Sequence, residues 1–351
     1  MSRTTIHDIA KELNTSPSTV SKALNNHPSI SAATKELIKT TAVNLNYRQN
    51  RLASSLRSGR TNIIGIMIPS SDIGFFGGVV HGIEKIARSN GYNILLFQSN
   101  ETGEYEVEGI ETLLQTSVDG IIASIAKDTP NLDHFFDVKK RKVPLVLFDR
   151  VKDELNSPSV VVDDYKGAFM ATEHLIQQGY MNIAHISGPQ HIKIFNDRLC
   201  GYVDALKMNN LPVNDDLIQY GRNSIESGKF SAERLLGRSK DMDAIFAVED
   251  FTALGALQYL KQAGVKMPEK MGMIGFGNES FSPYVTPSLS TIDQQPARMG
   301  EEAFTLFLEA MAKKANGSQN GEVEVAEEEP KKIVLDPVLI VRESSIRTPQ
   351  G

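Results

Sequence analysis

The sequence predicts an α plus α/β protein, with a small all-helical unit at the N-terminus and then a large body of two doubly wound α/β halves. Three observations point there. Helix-start signals occur three times within the first 46 residues, the texture changes after Thr61 to short apolar runs alternating with helical segments, and that alternation occurs twice. With 351 residues, 40% of them apolar and 23% charged, the chain has globular composition and room for two or three domains.

In "TTIHDIAKELN", Thr5 and Asp8 stand at capping-box spacing, and Ile6, Ile9, Ala10 and Leu13 fall on one helical face. In "NTSPSTVSKALN", Ser16 suits the N-cap and Pro17 the first helical position, where a missing N–H does no harm. Val20, Ala23 and Leu24 then point inward, which leaves Pro17, Ser18, Ser21, Lys22 and Asn25 outward. A third helix is expected from Ser31 to about Asn46, burying Ala33, Leu37, Ile38, Ala42 and Leu45. Two short helices, a tight turn and a supporting third make a helix-turn-helix, although a generic three-helix cap has the same spacing. Charge adds to this: residues 1–60 carry nine Lys/Arg against three acids, a net +6, while the remainder carries −12. A basic arm on an acidic body is suited to a polyanion.

In the body the apolar runs "NIIGIMIP", "YNILLF", "DGIIASI" and "VPLVLF" form a first series. "SVVVD", "NIAHISG", "LIQYG", "DAIFAV" and "GMIGFG" form a second. Strands alternating with helices at this spacing give parallel sheets with helices on both faces, and two such series leave a cleft between their strand ends. The segment "KKANGSQNGEVEVAEEEPKK" (313–332), with the insertion placed at 315–332, reads as solvated and acidic without assigned function.

Several classes are disfavoured. A single cysteine, Cys200, allows no internal disulfide framework and no multi-cysteine metal site; packing is its default role. The N-terminus has no basic-then-apolar leader pattern and "IIGIMI" is far too short to cross a bilayer, so a cytoplasmic location and no membrane partner are expected. "GFGNES" lacks the third glycine of a dinucleotide fingerprint. There is no Walker lysine motif and no nucleophile elbow, and the seven histidines show no paired metal-ligand spacing. Neither an enzyme nor a cofactor is expected.

"TIHDIAKELNTSPSTVSKALN", followed by "ISAATKELIKTTAVNLNYRQNRLASSLRSGRTNIIGIMIP" and later by "LIVRESS", resembles the lactose-repressor/galactose-repressor family of bacterial transcription regulators over nearly the whole chain. The resemblance implies a helix-turn-helix domain at 1–47, a hinge helix at 48–61 and a periplasmic-binding-protein-like body at 62–342, with a tail at 343–351. Within the body it implies an N-subdomain of about 62–161 and 292–331 and a C-subdomain of about 162–291 and 332–342, with crossings near Val162, Thr291 and Lys332. Pro17, Ser18 and Lys22 match base-reading positions in the major groove, and Asn25 shares their face. Lys22 can donate to guanine, but without the bidentate fork of arginine. Arg51 and Arg57 flank the hinge, and Leu56 matches the leucine that wedges into the minor groove; packing on its dimer mate is a second role open to it.

The same resemblance implies an effector cleft formed by Phe75, Phe76, Asp149, Arg198 and Glu249. The phenylalanines could also be core or dimer contacts, Asp149 a turn cap and Arg198 a surface pair. The chain departs from the family at Gly277, where a ligand-binding aspartate is usual, and Glu249 or Asn278 is expected to compensate. The implied partners are a pseudo-palindromic operator in double-stranded DNA, a small-molecule effector, a sugar or its derivative, and a second copy of the chain, with repression as the expected sign. The alternative is a solute-binding or sensory protein of the same body fold without DNA function.

Overall fold

Helix α1 (Ile6–Glu12) begins where the Thr5 backbone N–H donates to the Asp8 carboxylate at 2.7 Å, satisfying an end donor that has no partner inside the helix. Helix α2 (Pro17–Leu24) is capped by Ser16, whose Oγ accepts from the Thr19 N–H at 3.1 Å, and α3 (Ala32–Asn44) by Ser31, which accepts from Thr34 at 3.2 Å. The computed structural model describes residues 4–47, 60–317 and 329–347, in two compact units, Met1–Thr61 and Asn62–Gly351. Arg51, Leu56 and Arg57, with most of the hinge, and most of the acidic insertion lie outside the described residues.

The core of the first unit is Ile9, Ala10, Val20, Ala23, Ile38 and Ala42. Its third helix departs from the expected stripe: Ala33 is exposed and Leu37 is 56% exposed. Helices of seven and eight residues cover only a narrow band of α3, the i, i+4 row of Ile38 and Ala42, and Leu37 lies a third of a turn away from it.

The body opens with β1 (Ile63–Ile68), α4 (Gly74–Ser89), β2 (Asn93–Gln98), α5 (Gly103–Gln115), β3 (Gly120–Ala123), α6 (Asp133–Lys140), β4 (Leu145–Phe148) and β5 (Ser159–Val162). The second half runs through α7 (Asp164–Gln177), β6 (Ile183–Ser187), α8 (Lys193–Met208), β7 (Ile218–Tyr220), α9 (Ile225–Arg238), β8 (Ala244–Ala247), α10 (Asp250–Gln262), β9 (Gly272–Ile274) and β10 (Thr291–Asp293). Helix α11 (Pro296–Gly317), β11 (Lys332–Leu335) and β12 (Val338–Ile340) close the chain. The strand orders are β11-β5-β4-β3-β1-β2 and β7-β6-β8-β9, both parallel, with an antiparallel β10-β12 ribbon. Continuous burial along "IIGIMI", "GIIA" and "AIFA" follows from helices covering both faces of a parallel sheet.

The third crossing differs from the expected one near Lys332. Lys332 to Leu335 pair in parallel with Ser159 to Val162, so they are an edge strand of the first sheet, and the chain passes to the second half at Asp336–Pro337. The polar start of this strand, directly after an acidic stretch, hides it from a periodicity reading. The second crossing lies at Gln294 and Gln295, just beyond β10.

Candidate functional site

On α2 the outward face is composed as the sequence requires. Pro17 is half-buried at the helix start, while Ser18, Lys22 and Asn25 are exposed. Ser18 Oγ lies 2.8 Å from Ser16 Oγ, so the N-cap also orients it. The Asn25 amide nitrogen donates to Ser21 O at 2.8 Å, which commits that donor to the helix end. The face therefore offers an apolar ring, a hydroxyl and an ammonium, a set matched to thymine methyl groups and guanine acceptors.

In the body, the loops after β1, β4, β6, β8 and β9 converge at the carboxyl ends of both sheets, where parallel α/β sheets bind ligands. A cavity of about 590 Å³ reaches from Ile125 and Lys127 to Gln190 and Lys193. A second, of only about 30 Å³, lies against Phe75, Phe76, Phe251 and Phe276. Asp149, Arg150 and Ile194 line both.

Phe75 and Phe76 are nearly fully buried, edge to face at 5.1 Å, and belong to the core while also lining the small cavity. Asp149 is held at φ +60°, a left-handed backbone that costs an aspartate about 1–2 kcal/mol. Burial pushes its carboxyl up, against the pull of Arg150 and Arg198. Arg150 donates to Glu101 at 2.6 Å, lies 5.7 Å from the Phe76 ring centre, and has a buried Nε without a hydrogen-bond partner.

Arg198 lines the small cavity but is not a surface pair. It is 2% exposed, donates to Asp164 at 2.7 Å, to the Val248 carbonyl at 2.7 Å and to Gln294 at 3.2 Å, and stacks 3.6 Å from the Phe276 ring centre. Asp164 and Gln294 stand at the first and second crossings, so Arg198 ties two connections together. Burial pushes the Asp164 carboxyl up to about 7, and Arg198 opposes that rise. Glu249 lines the same cavity and accepts from Asn223 at 2.7 Å.

Asn278 does not line either cavity. Its Nδ2 donates to Asp293 at 3.0 Å, its Oδ1 accepts from Arg342 at 2.8 Å, and its backbone N–H donates to Thr291 Oγ1 at 3.1 Å, so it is a strut beneath the cleft. Gly277, at φ +131°, turns the chain so that Glu279, two positions on, enters the cleft instead. Sequence reasoning missed Glu279, Arg150, Gln294 and Asp164. The first stands inside "GFGNES" and the second directly follows Asp149, but their direction depends on positive φ at Gly277 and Asp149. Cys200, expected to pack, is exposed, because α8 turns Phe195, Arg198, Gly201 and Tyr202 inward.

Among the described residues no cluster of three or more metal-ligating side chains occurs, and no helix is long and apolar enough to cross a membrane.

Residues 61–327 match the family model of periplasmic binding proteins and the sugar binding domain of the LacI family, and residues 5–50 that of bacterial regulatory proteins of the lacI family. Catabolite control protein A of Priestia megaterium is 34% identical over 310 residues, 88% of this chain and 93% of that protein. The transcriptional regulator CelR in complex with cellobiose superposes with a TM-score of 0.71 at 27% identity, covering 97% of this chain and all of that one. The lac repressor dimer bound to operator and an anti-inducer shares the fold, with a TM-score of 0.82 at 23% identity, covering 98% of this chain and all of that one. With both halves of the family's architecture matched in order along one chain, this protein belongs to the LacI family of bacterial regulatory proteins.

Proposed function

We propose that the chain acts as a homodimeric repressor in the cytoplasm, reading a pseudo-palindromic operator with α2 and releasing or holding it according to a sugar or sugar derivative in the body cleft. What carries this is the outer face of α2, where Ser18, Lys22 and Asn25 are exposed beside Pro17 and no apolar stripe is left over. Arg51, Leu56 and Arg57 are assigned to the minor groove, where flanking arginines and an apolar wedge bend the duplex. In the cleft, polar groups of both signs converge beside phenylalanine walls, which suits a polyhydroxyl ligand. Differential affinity of the effector for two arrangements of the halves suffices to shift operator binding.

The test is selection of full-length protein against a random duplex pool, followed by gel shift on the selected site with and without cellobiose, ribose and other sugars. A two-fold symmetric consensus whose binding changes with one sugar supports the assignment. A protein that selects no sequence but binds a sugar belongs instead to the solute-binding class.

A further inference from the structure

The effector assignment places a ligand ring on Phe75 and Phe76, yet the cavity there, about 30 Å³, has room for about one water molecule. The roomy neighbouring cavity has no phenylalanine or tyrosine in its lining. What fills the aromatic end is the chain itself. Glu279, on the loop after β9 in the second half, reaches across the cleft, and its Oε2 accepts from the backbone N–H of Gly74 at 3.2 Å, at the first residue of α4 in the first half. The backbone N–H groups of Phe75 and Gly74 both favour the charged form of this carboxylate, against the burial that pushes its pKa up.

Three further observations make this a built contact. Helix α4 has Ile73 at its N-cap and so no side-chain cap of its own; Glu279 supplies a charged acceptor to first-turn donors that would otherwise lack one. A Cβ at Gly74 would stand 2.4 Å from Glu279 Oε2, so a larger residue there would push the carboxylate out of its present position. The base of the loop is pinned as well: the Glu279 backbone N–H donates to Asp250 at 2.8 Å, and the Asp250 carboxylate also accepts from Ser282 and Thr291. The Glu279 side chain is therefore delivered to α4 by a rigid loop, and the residue is only 7% exposed.

We propose that Glu279 is an internal occupant of the effector subsite: without ligand its carboxylate caps α4 across the cleft and latches the two halves over Phe75 and Phe76, and an effector reaches those rings only by displacing it. The displacement rests on the effector assignment; the latch does not. The contact is then specificity-determining, since a ligand that cannot replace the carboxylate at α4 leaves the latch closed.

The latch is tested in full-length protein with no small molecule present. Amide exchange is read at Gly74 and Phe75, and the separation of the halves by pulsed electron resonance between labels at Glu111→Cys and Glu233→Cys in a Cys200→Ser background. Glu279→Ala should speed exchange at both amides about tenfold or more, as loss of a hydrogen bond to a charged group implies, and shift the label separation to longer, broader values. Glu279→Gln, which keeps one acceptor oxygen but no charge, should fall between. Gly74→Ala leaves Glu279 intact but crowds its carboxylate, and should open the cleft in the same direction, so the test survives if Glu279→Ala folds poorly. Parent-like exchange and separation in both Glu279→Gln and Gly74→Ala overturn the proposal. Because no ligand enters these measurements, a failed sugar screen would count against the effector assignment alone.

Discussion

His185 shows how a residue type that suggests function can be structural. It lies on β6, fully buried, stacked between Tyr202 and Phe246 at 5.0 and 4.7 Å, with Nδ1 hydrogen-bonded to the Phe246 carbonyl at 3.0 Å. That bond makes Nδ1 the donor, and Nε2, buried without a partner, would have to carry the second proton of the cation. Burial therefore lowers its pKa to about 4. The unfolded chain takes up this proton below about 6.5 and the folded protein only near 4, so the stability due to neutral His185 is lost as pH falls through that window. His185→Phe keeps a ring in the stack and removes the titration. The parent's stability relative to this variant should decline from about pH 6.5 to about 4 and stay constant above about pH 7, as read by urea unfolding at each pH. On the DNA side, Lys22→Ala should cost about 1–3 kcal/mol at the selected operator and relax one position of the consensus. An unchanged consensus would remove Lys22 from base reading.

At the scale of elements, much of the secondary structure was legible because local chemistry and burial agree. Ser16-Pro17 and Ser31 mark helix starts by their own hydrogen bonds, and the apolar runs mark strands buried on both faces. Two features were not legible. The α3 stripe depends on how short its neighbours are, and β11 depends on a partner, β5, some 170 residues away in sequence. Close helix contact is similarly non-local. Gly82 on α4 and Gly300 on α11 interlock: a Cβ on Gly82 would stand 1.9 Å from Ala297 O, and one on Gly300 would stand 2.0 Å from Val79 O. At Gly77, on the same helix as Gly82, a Cβ would meet nothing within 4 Å. Gly82→Ala should therefore destabilise by about 1–3 kcal/mol through overpacking. Gly77→Ala should stabilise by about 0.5–1 kcal/mol, because alanine is the better helix former. Equal urea midpoints for the two variants would contradict the interlock.

For the whole molecule, the order of the parts was readable from texture and charge, but the wiring of the cleft was not. In the sequence Arg198 reads as a ligand donor; its partners Asp164, Gln294 and the Val248 carbonyl are brought together only when three distant segments meet. This arginine joins the first two crossings between the halves. Removing it leaves the Asp164 carboxylate buried without its counter-charge, a loss of about 3–5 kcal/mol for a broken buried pair. The size of that loss should depend on pH with a definite sign. Folding raises the Asp164 pKa from 3.8 to about 7, so the folded protein holds a proton there that the unfolded chain has released, and the stability from this group falls as pH rises through that range. Without Arg198 the carboxyl is driven higher still, so at about pH 5, where parent and variant both hold the Asp164 proton, the charge part of the penalty is small, and it grows as pH rises through the parent value of about 7 towards about pH 8.5. Urea unfolding of parent and variant at the two pH values should show the larger gap at the higher one. Asp164→Asn in the variant background should shrink the gap at the higher pH, since an amide carries no charge to strand. A gap of equal size at both values would mean that Arg198 stabilises the body through its stacking on Phe276 rather than through the charge it neutralises at the crossing.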